Sequence, residues 1–440
     1  MGAEGKVGGP GRLRRPVLVA VVMAALIAAA LAAILWTGAA RSECVSVGMD
    51  GAPGNGQSRL PTISADGRYV AFHSDATDLV PGDTNRCTDV FVFDRATGVT
   101  RRVSLALDGS ELQSDSPGAA ISPDGRFVAF WAREMPLPPD GRVVSGVFLH
   151  DLVTGVVQCV AATRDGAAPG SVWDGDLAVS VHASIVAFAT SASGIVAGGE
   201  SDKSNVYVFD RAKGRVELVS VSTDGRAANA ISFWPTVSAD GRYVAFESWA
   251  SNLVAGTQKG TSQVYVRDRL AATTVLASCD AAGPLSGYSA TPSMSADGSM
   301  VAFRFCSPGE QSHILVRDMQ KNVLRPVPFD RTRSDTVPAI SGDGRCVTFW
   351  HTWREDGDYA DLYRYALDTG AIERLLSGSG PRVQFDRLPL SFDGRCVAFV
   401  YSRMHRYRSP RILCRKWEYP WEERQICVIG PRPQADAPAH

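Results

Sequence analysis

Between Pro61 and Phe399 apolar residues come in short runs bounded by Gly, Asp, Pro or Ser, and one run returns at a nearly constant interval. It reads Val-Ala-Phe, once Val-Thr-Phe. It closes at Phe72, Phe130, Phe188, Phe246, Phe303, Phe349 and Phe399, so the spacings are 58, 58, 58, 57, 46 and 50 residues. A long fixed period of this kind marks a repeat architecture. Runs this short, rich in Val and aromatic residues, predict strands rather than helices.

The first unit shows the parts. Pro61-Thr-Ile-Ser64 is a short strand, and Ala65-Asp66-Gly67-Arg68 is a tight turn. Asp-Gly between two apolar runs favours a hairpin, because Gly accepts positive φ and Asp hydrogen-bonds its own turn. Tyr69 to Phe72 is the second strand. Val90 to Phe93, ended by Asp94, is the third, and Arg102 to Leu105 is the fourth. Asp-Gly recurs before the second strand at Asp124, Asp240, Asp297, Asp343 and Asp393, while the third unit reads Ser180-Val-His-Ala-Ser184 there. The Asp residues that end the third strands (Asp94, Asp151, Asp210, Asp268, Asp318) recur as turn residues rather than as an acidic site.

Four-stranded units repeated radially predict an all-β chain, a seven-bladed β-propeller of four-stranded antiparallel blades. Six or eight blades are the alternatives, because the third unit lacks its turn and the last three are shorter. Cys44-Val-Ser-Val47 copies the fourth-strand pattern ahead of the first unit, so the two chain ends should clasp the ring. Gln425 to Ile429 competes for the same outer place.

The first 40 residues follow another pattern. Lys6, Arg12, Arg14 and Arg15 precede an uncharged run from Pro16 to Ala40. That run is long enough to cross a bilayer as one helix, and its basic flank should stay cytoplasmic. Residues 1–15 are then a cytoplasmic basic N-terminus and 16–40 a transmembrane signal anchor. The alternative is a cleavable signal peptide, with Gly38 and Ala40 as its small residues and a secreted product. The propeller, 41–430, is placed on the extracytoplasmic side, and 431–440 is read as a disordered tail.

Composition adds two exclusions. Of 440 residues, Lys+Arg (45) balance Asp+Glu (46), which argues against a nucleic-acid partner. All nine cysteines follow the apolar run, and none forms a C-x-x-C pair. The usual zinc and thioredoxin-type readings drop out, and disulfides are permitted outside the cytoplasm. Cys396 and Cys414 fall on neighbouring predicted strands and are one conceivable pair.

Two stretches carry candidate chemistry. Asp83, Asn85 and Asp89 place oxygen ligands at alternating positions before a strand, as calcium prefers. The competing reading is an Asx-turn that stabilises a loop. Arg403, His405, Arg406, Arg408 and Arg411 form a basic stretch interleaved with aromatics. It suits an anionic glycan, a phosphate-bearing polymer or lipid headgroups, or else it is a solvated loop. No catalytic residue is assigned: the chain contains no Gly-x-Ser-x-Gly elbow, phosphate loop or dinucleotide fingerprint.

The motif Pro-x-x-Ser-x-Asp-Gly-Arg-x-Val-Ala-Phe, followed by Val-Tyr-Val-x-Asp, is clearest at Pro61–Phe72 and Pro235–Phe246. It resembles the TolB-like, WD-related propeller repeat of bacterial envelope proteins, over nearly all of Cys44 to Gly430. Related repeats often read Asp-Thr-Asn-Gly where this chain has Arg86. The resemblance implies a bare propeller on a membrane stalk, a protein-interaction or ligand-binding module whose partner is a cell-envelope protein or glycan. The alternative it leaves is a glycan-acting hydrolase or lyase with its site in the central channel.

Overall fold

The computed structural model describes residues 42–137, 141–162, 176–192, 195–196, 203–309, 311–329, 337–352, 360–377, 388–404 and 422–433, with only the backbone at 352, 360, 402–404 and 422–423. The membrane-segment reading of 16–40 lies outside these residues. Among the described residues, no helix is long and apolar enough to cross a membrane.

Seven antiparallel sheets form a seven-bladed propeller. In blade 1 the strands run outward as Ser58–Ile63, Tyr69–Ser74, Asp89–Asp94 and Val99–Arg102. Five further blades repeat this order with four strands each. Every Val-Ala-Phe run lies in a second strand, and its Phe is fully buried. The apolar clusters span neighbouring blades: Val70, Phe72, Phe91 and Phe93 of blade 1 pack with Ala398 and Val400 of blade 7. A blade therefore cannot bury its faces alone, and the repeat is stable only as a ring.

The Ser-x-Asp-Gly-Arg motif builds one face of that ring. Ser64 Oγ donates to Asp66 Oδ1 and accepts from the Tyr69 amide at 2.9 Å. Arg68 then reaches the Asp that ends the third strand, with Nε and Nη2 at 2.9 and 2.8 Å from the Asp94 carboxylate. Arg126–Asp151 and Arg242–Asp268 repeat this pair. Asp94 also accepts from the Ala96 amide, and Asp268 from those of Leu270 and Ala271. The third-strand Asp residues are thus turn residues, as their repetition predicts.

Main-chain hydrogen bonds join these turns around the ring. Ala65 N donates to Pro123 O, Val181 N to Ala239 O, Ala239 N to Ala296 O and Ala296 N to Gly342 O. Asp343 N then donates to Phe392 O, and Phe392 N donates back to Ala65 O. Pro123 has no N–H, so the ring omits a donor there. The turn Gly must be Gly twice over at Gly125. Its φ is +71°, and a Cβ would sit 2.5 Å from the Tyr69 ring of the preceding blade. In blade 3 a single helical turn, Val181–Ala183, replaces Asp-Gly, with His182 at φ 55°.

The last blade corrects one expectation. Gln425–Ile429 belongs to the third strand, Glu422–Ile429, and the outermost strand is Glu43–Cys44. The two segments do not compete, because Glu422–Ile429 lies between Val397–Met404 and Glu43–Cys44; the innermost position is kept by a single bridge, Leu390 to Val397. The N-terminal strand therefore closes the ring. Arg95, 1% exposed, holds the seam. It donates to Glu43 at 3.2 Å, Gly67 O at 2.8 Å and Gly430 O at 3.3 Å. Arg432 adds a second guanidinium on Glu43.

Candidate functional site

The strand order gives the propeller two unlike ends. At one end the connections between first and second strands, and between third and fourth, are all four or five residues long in blades 1 to 6. The longer connections leave from the other end, among them 75–88 and 249–262. Of the two candidate stretches read from the sequence, Asp83, Asn85 and Asp89 belong to this loop face. Of the basic stretch, Arg403 has its backbone in the strand Val397–Met404. Its side chain, and His405, Arg406, Arg408 and Arg411, lie outside the described residues.

Asp83 and Asp89 do come together, and Glu111 joins them. One carboxylate oxygen from each lies within 4.8 Å of the others. Arg102 occupies the middle: its Nη1 is 3.5 Å from Asp83, 3.3 Å from Asp89 and 2.5 Å from Glu111. The guanidinium is the internal counter-charge of the cluster, and a divalent ion would have to displace it. Asp83 Oδ1 is buried with no hydrogen-bond partner beyond this ion pair.

Asn85 plays the part of an Asx-turn residue. Its Oδ1 accepts from the Cys87 amide at 2.8 Å, and its Nδ2 donates to Asp89 Oδ2 at 3.0 Å and Leu112 O at 2.8 Å. Arg86, where related repeats have Gly, takes φ 58°. The turn keeps the glycine conformation without the glycine.

The role of Asp89 is clearest by comparison across blades. Asp89 accepts from Ser104 Oγ, two residues past the fourth strand, and the Val90 amide donates to the same Ser oxygen. Asn205 with Ser220 makes the identical link. So do Gln263 with Ser278 and Gln425 with Ser46. Neutral amides serve as well as a carboxylate, so the position is first a strand clasp.

Charge is what distinguishes blade 1. Burial pushes the Asp83 and Asp89 carboxyls above the usual range. Burial also acts on Glu111, but the Thr84 amide and hydroxyl and Arg102 outweigh it and hold that carboxyl down at about 2. Glu111 and Arg102 were not legible as site residues. Glu111 lies in the connection to blade 2 and Arg102 in the fourth strand, and only the folded blade brings them to the loop.

At the axis, residues of the innermost strands of five blades line a cavity of about 160 Å³. Its wall is Thr62, Trp234, Thr236, Thr291, Ser293 and Ala339, with Pro, Val and Leu. Among the described residues it carries no charged group. Glu247 and Asp176 stand just behind this wall and are used in packing. Glu247 accepts from Ser262 Oγ at 2.7 Å and the Thr291 amide at 3.0 Å, and Asp176 accepts from the Trp234 amide at 2.8 Å.

Fold and site together define a seven-bladed propeller with one tight face and one loop-bearing face. No protein-family model and no curated protein matches the chain. Among solved structures it is similar to an oligogalacturonate lyase in complex with manganese, at 12% identity over 89% of this chain and 93% of that one, with a TM-score of 0.57. It is similar to the β-propeller domain of the Trilobed protease from Pyrococcus furiosus, at 13% identity over 87% and 97%, with a TM-score of 0.50. That domain has an open velcro topology, whereas here Glu43–Cys44 closes the ring. It is also similar to TolB from Acinetobacter baumannii, at 16% identity over 76% and 82%, with a TM-score of 0.41. At these identities the likeness is one of fold alone.

Proposed function

We propose that the chain is a membrane-anchored, extracytoplasmic propeller that binds a protein or glycan of the cell envelope and does not transform it. The observation that carries this reading is the division between the two ends. Tight turns, tied to one another by main-chain hydrogen bonds, make one end a frame. The connections that vary in length all leave from the other. A rigid scaffold presenting variable loops is a common design for recognition. Arg403, Arg406, Arg408 and Arg411, with His405, are the residues we assign to contact an anionic partner, and Asp83, Asn85 and Asp89 hold a loop of the loop-bearing face.

The second reading is a glycan hydrolase or lyase. The oligogalacturonate lyase shares the fold, but the described channel wall offers no carboxylate or imidazole for general acid–base work. That favours binding over turnover.

Crosslinking in native membranes, followed by purification of the full-length protein, tests the first reading. A stoichiometric partner should be retained by the wild type and lost when Arg403, Arg406, Arg408 and Arg411 are all changed to Ser. Retention by the quadruple variant would remove the basic stretch from the interface. Accumulation of unsaturated products from oligogalacturonate or another polyuronate would replace the binding reading with the enzymatic one.

A further inference from the structure

We propose that Cys44 and Cys427 form a disulfide that closes the propeller ring covalently. Cys44 lies in the N-terminal closing strand and Cys427 in the strand it pairs with, and the two are directly opposite in register. The pair is of the non-hydrogen-bonded kind, because the Val45 amide donates to Ile426 O at 2.8 Å, one step beyond it. At such positions the antiparallel ladder brings Cα atoms to about 4.5 Å and the side chains closest together. A disulfide needs Cα atoms roughly 4.4–6.8 Å apart, so no backbone shift is required. Both side chains enter the same apolar cluster, Cys427 as a buried member and Cys44 packed against it. Ser46–Gln425 on one side and Arg95–Glu43 on the other hold the register.

The position gives the bond its consequence. Glu43 and Cys44 are all that the N-terminus contributes to the last blade as a regular strand, and a two-residue strand frays readily. Joining it to Cys427 links the chain ends across almost the whole ring. Loops of that size are where a crosslink restricts the unfolded chain most, on the chain-entropy account.

The chemistry is thiol–disulfide exchange. The Cys427 thiol is pushed well above the usual thiol range by its hydrogen bond with Cys44 and by burial. Cys44 is half-buried and Cys427 only 7% exposed, so Cys44 is the thiol an oxidant reaches first and the attacking one. Its sulfur bonds one sulfur of a disulfide oxidant, such as glutathione disulfide or an oxidised thiol oxidoreductase, and releases the other as a thiol. Cys427 then gives up its proton and displaces the second thiol. Two protein thiols are oxidised to one disulfide, and one oxidant disulfide is reduced to two thiols. Formation in the cell rests on the extracytoplasmic placement proposed above, where such oxidants persist. Formation in vitro does not.

The experiment uses full-length protein extracted in detergent. One portion is treated with glutathione disulfide, blocked with N-ethylmaleimide in denaturant, digested and analysed by mass spectrometry. A linked Cys44–Cys427 peptide is expected, lost on dithiothreitol treatment and absent from Cys44→Ser. The urea midpoint of the oxidised wild type should exceed that of the reduced wild type, and Cys44→Ser and Cys427→Ser should show no such redox difference. Recovery of both residues as maleimide adducts after glutathione disulfide treatment would overturn the proposal. A second portion is alkylated during cell lysis. If the pair is linked only after treatment in vitro, the disulfide stands and the extracytoplasmic placement falls.

Discussion

At the scale of single residues, the chain uses one position for two purposes. Asp89, Asn205, Gln263 and Gln425 all clasp the Ser just past a fourth strand, and only Asp89 adds charge to a cluster with Asp83, Glu111 and Arg102. Asp89→Asn should therefore keep the clasp and change stability by less than about 1 kcal/mol, whereas Asp89→Ala leaves the buried Ser104 hydroxyl without its acceptor and should cost about 1–3 kcal/mol. Thermal unfolding with and without calcium completes the test. The same midpoint in both conditions is expected if Arg102 is the counter-charge, and a calcium-dependent rise in the wild type but not in Asp89→Asn would make the cluster a metal site. Glu111 gives a pH prediction. Its carboxyl is held down at about 2 in the folded protein, below its ordinary value near 4.5. Its contribution is thus fully present above pH 4.5 and lost as pH falls towards 2. Glu111→Gln should flatten the stability–pH curve in that window, as acid titration followed by circular dichroism would show.

At the scale of elements, local chemistry was legible and long-range chemistry was not. Each second strand was readable because Asp66-Gly67 and its repeats are turn residues and Val-Ala-Phe has strand character, both local properties. The pairing of Arg68 with Asp94 was hidden, since 26 residues separate them. The bulges in the innermost strands were hidden too. Trp234 and Thr291 precede proline yet take φ 56° and 54°, because Asp176 and Glu247 of the preceding blades fix their amides. In the last blade, pattern alone does not say that Glu422–Ile429 is the third strand rather than the fourth, because the connection before it is long. Arg95 belongs to this scale as well: it was unremarked in the sequence and is buried at the seam. Arg95→Met removes a guanidinium that satisfies Glu43 and two carbonyls, and breaking a buried ion pair from one side costs about 3–5 kcal/mol. Arg432 remains on Glu43, so we place the loss near the lower end, about 3 kcal/mol. Guanidinium-chloride unfolding of the two proteins checks it, and an unchanged midpoint would show that the seam does not depend on Arg95.

At the scale of the whole molecule, the architecture followed from the period of one tripeptide, while the ligand did not follow from anything. Repetition reports what every blade needs, and a binding surface consists of what the blades do not share. The central claim is that the loop face, and not the tight-turn face, meets the partner. The most direct measurement places a photo-crosslinking residue at exposed Lys259, in the long connection of blade 4, or at exposed Leu270, in the tight turn at the opposite end of the same blade. Illuminated in native membranes, the Lys259 position should yield a defined adduct and the Leu270 position none. An adduct formed from Leu270 alone, or equally from both, would contradict the account.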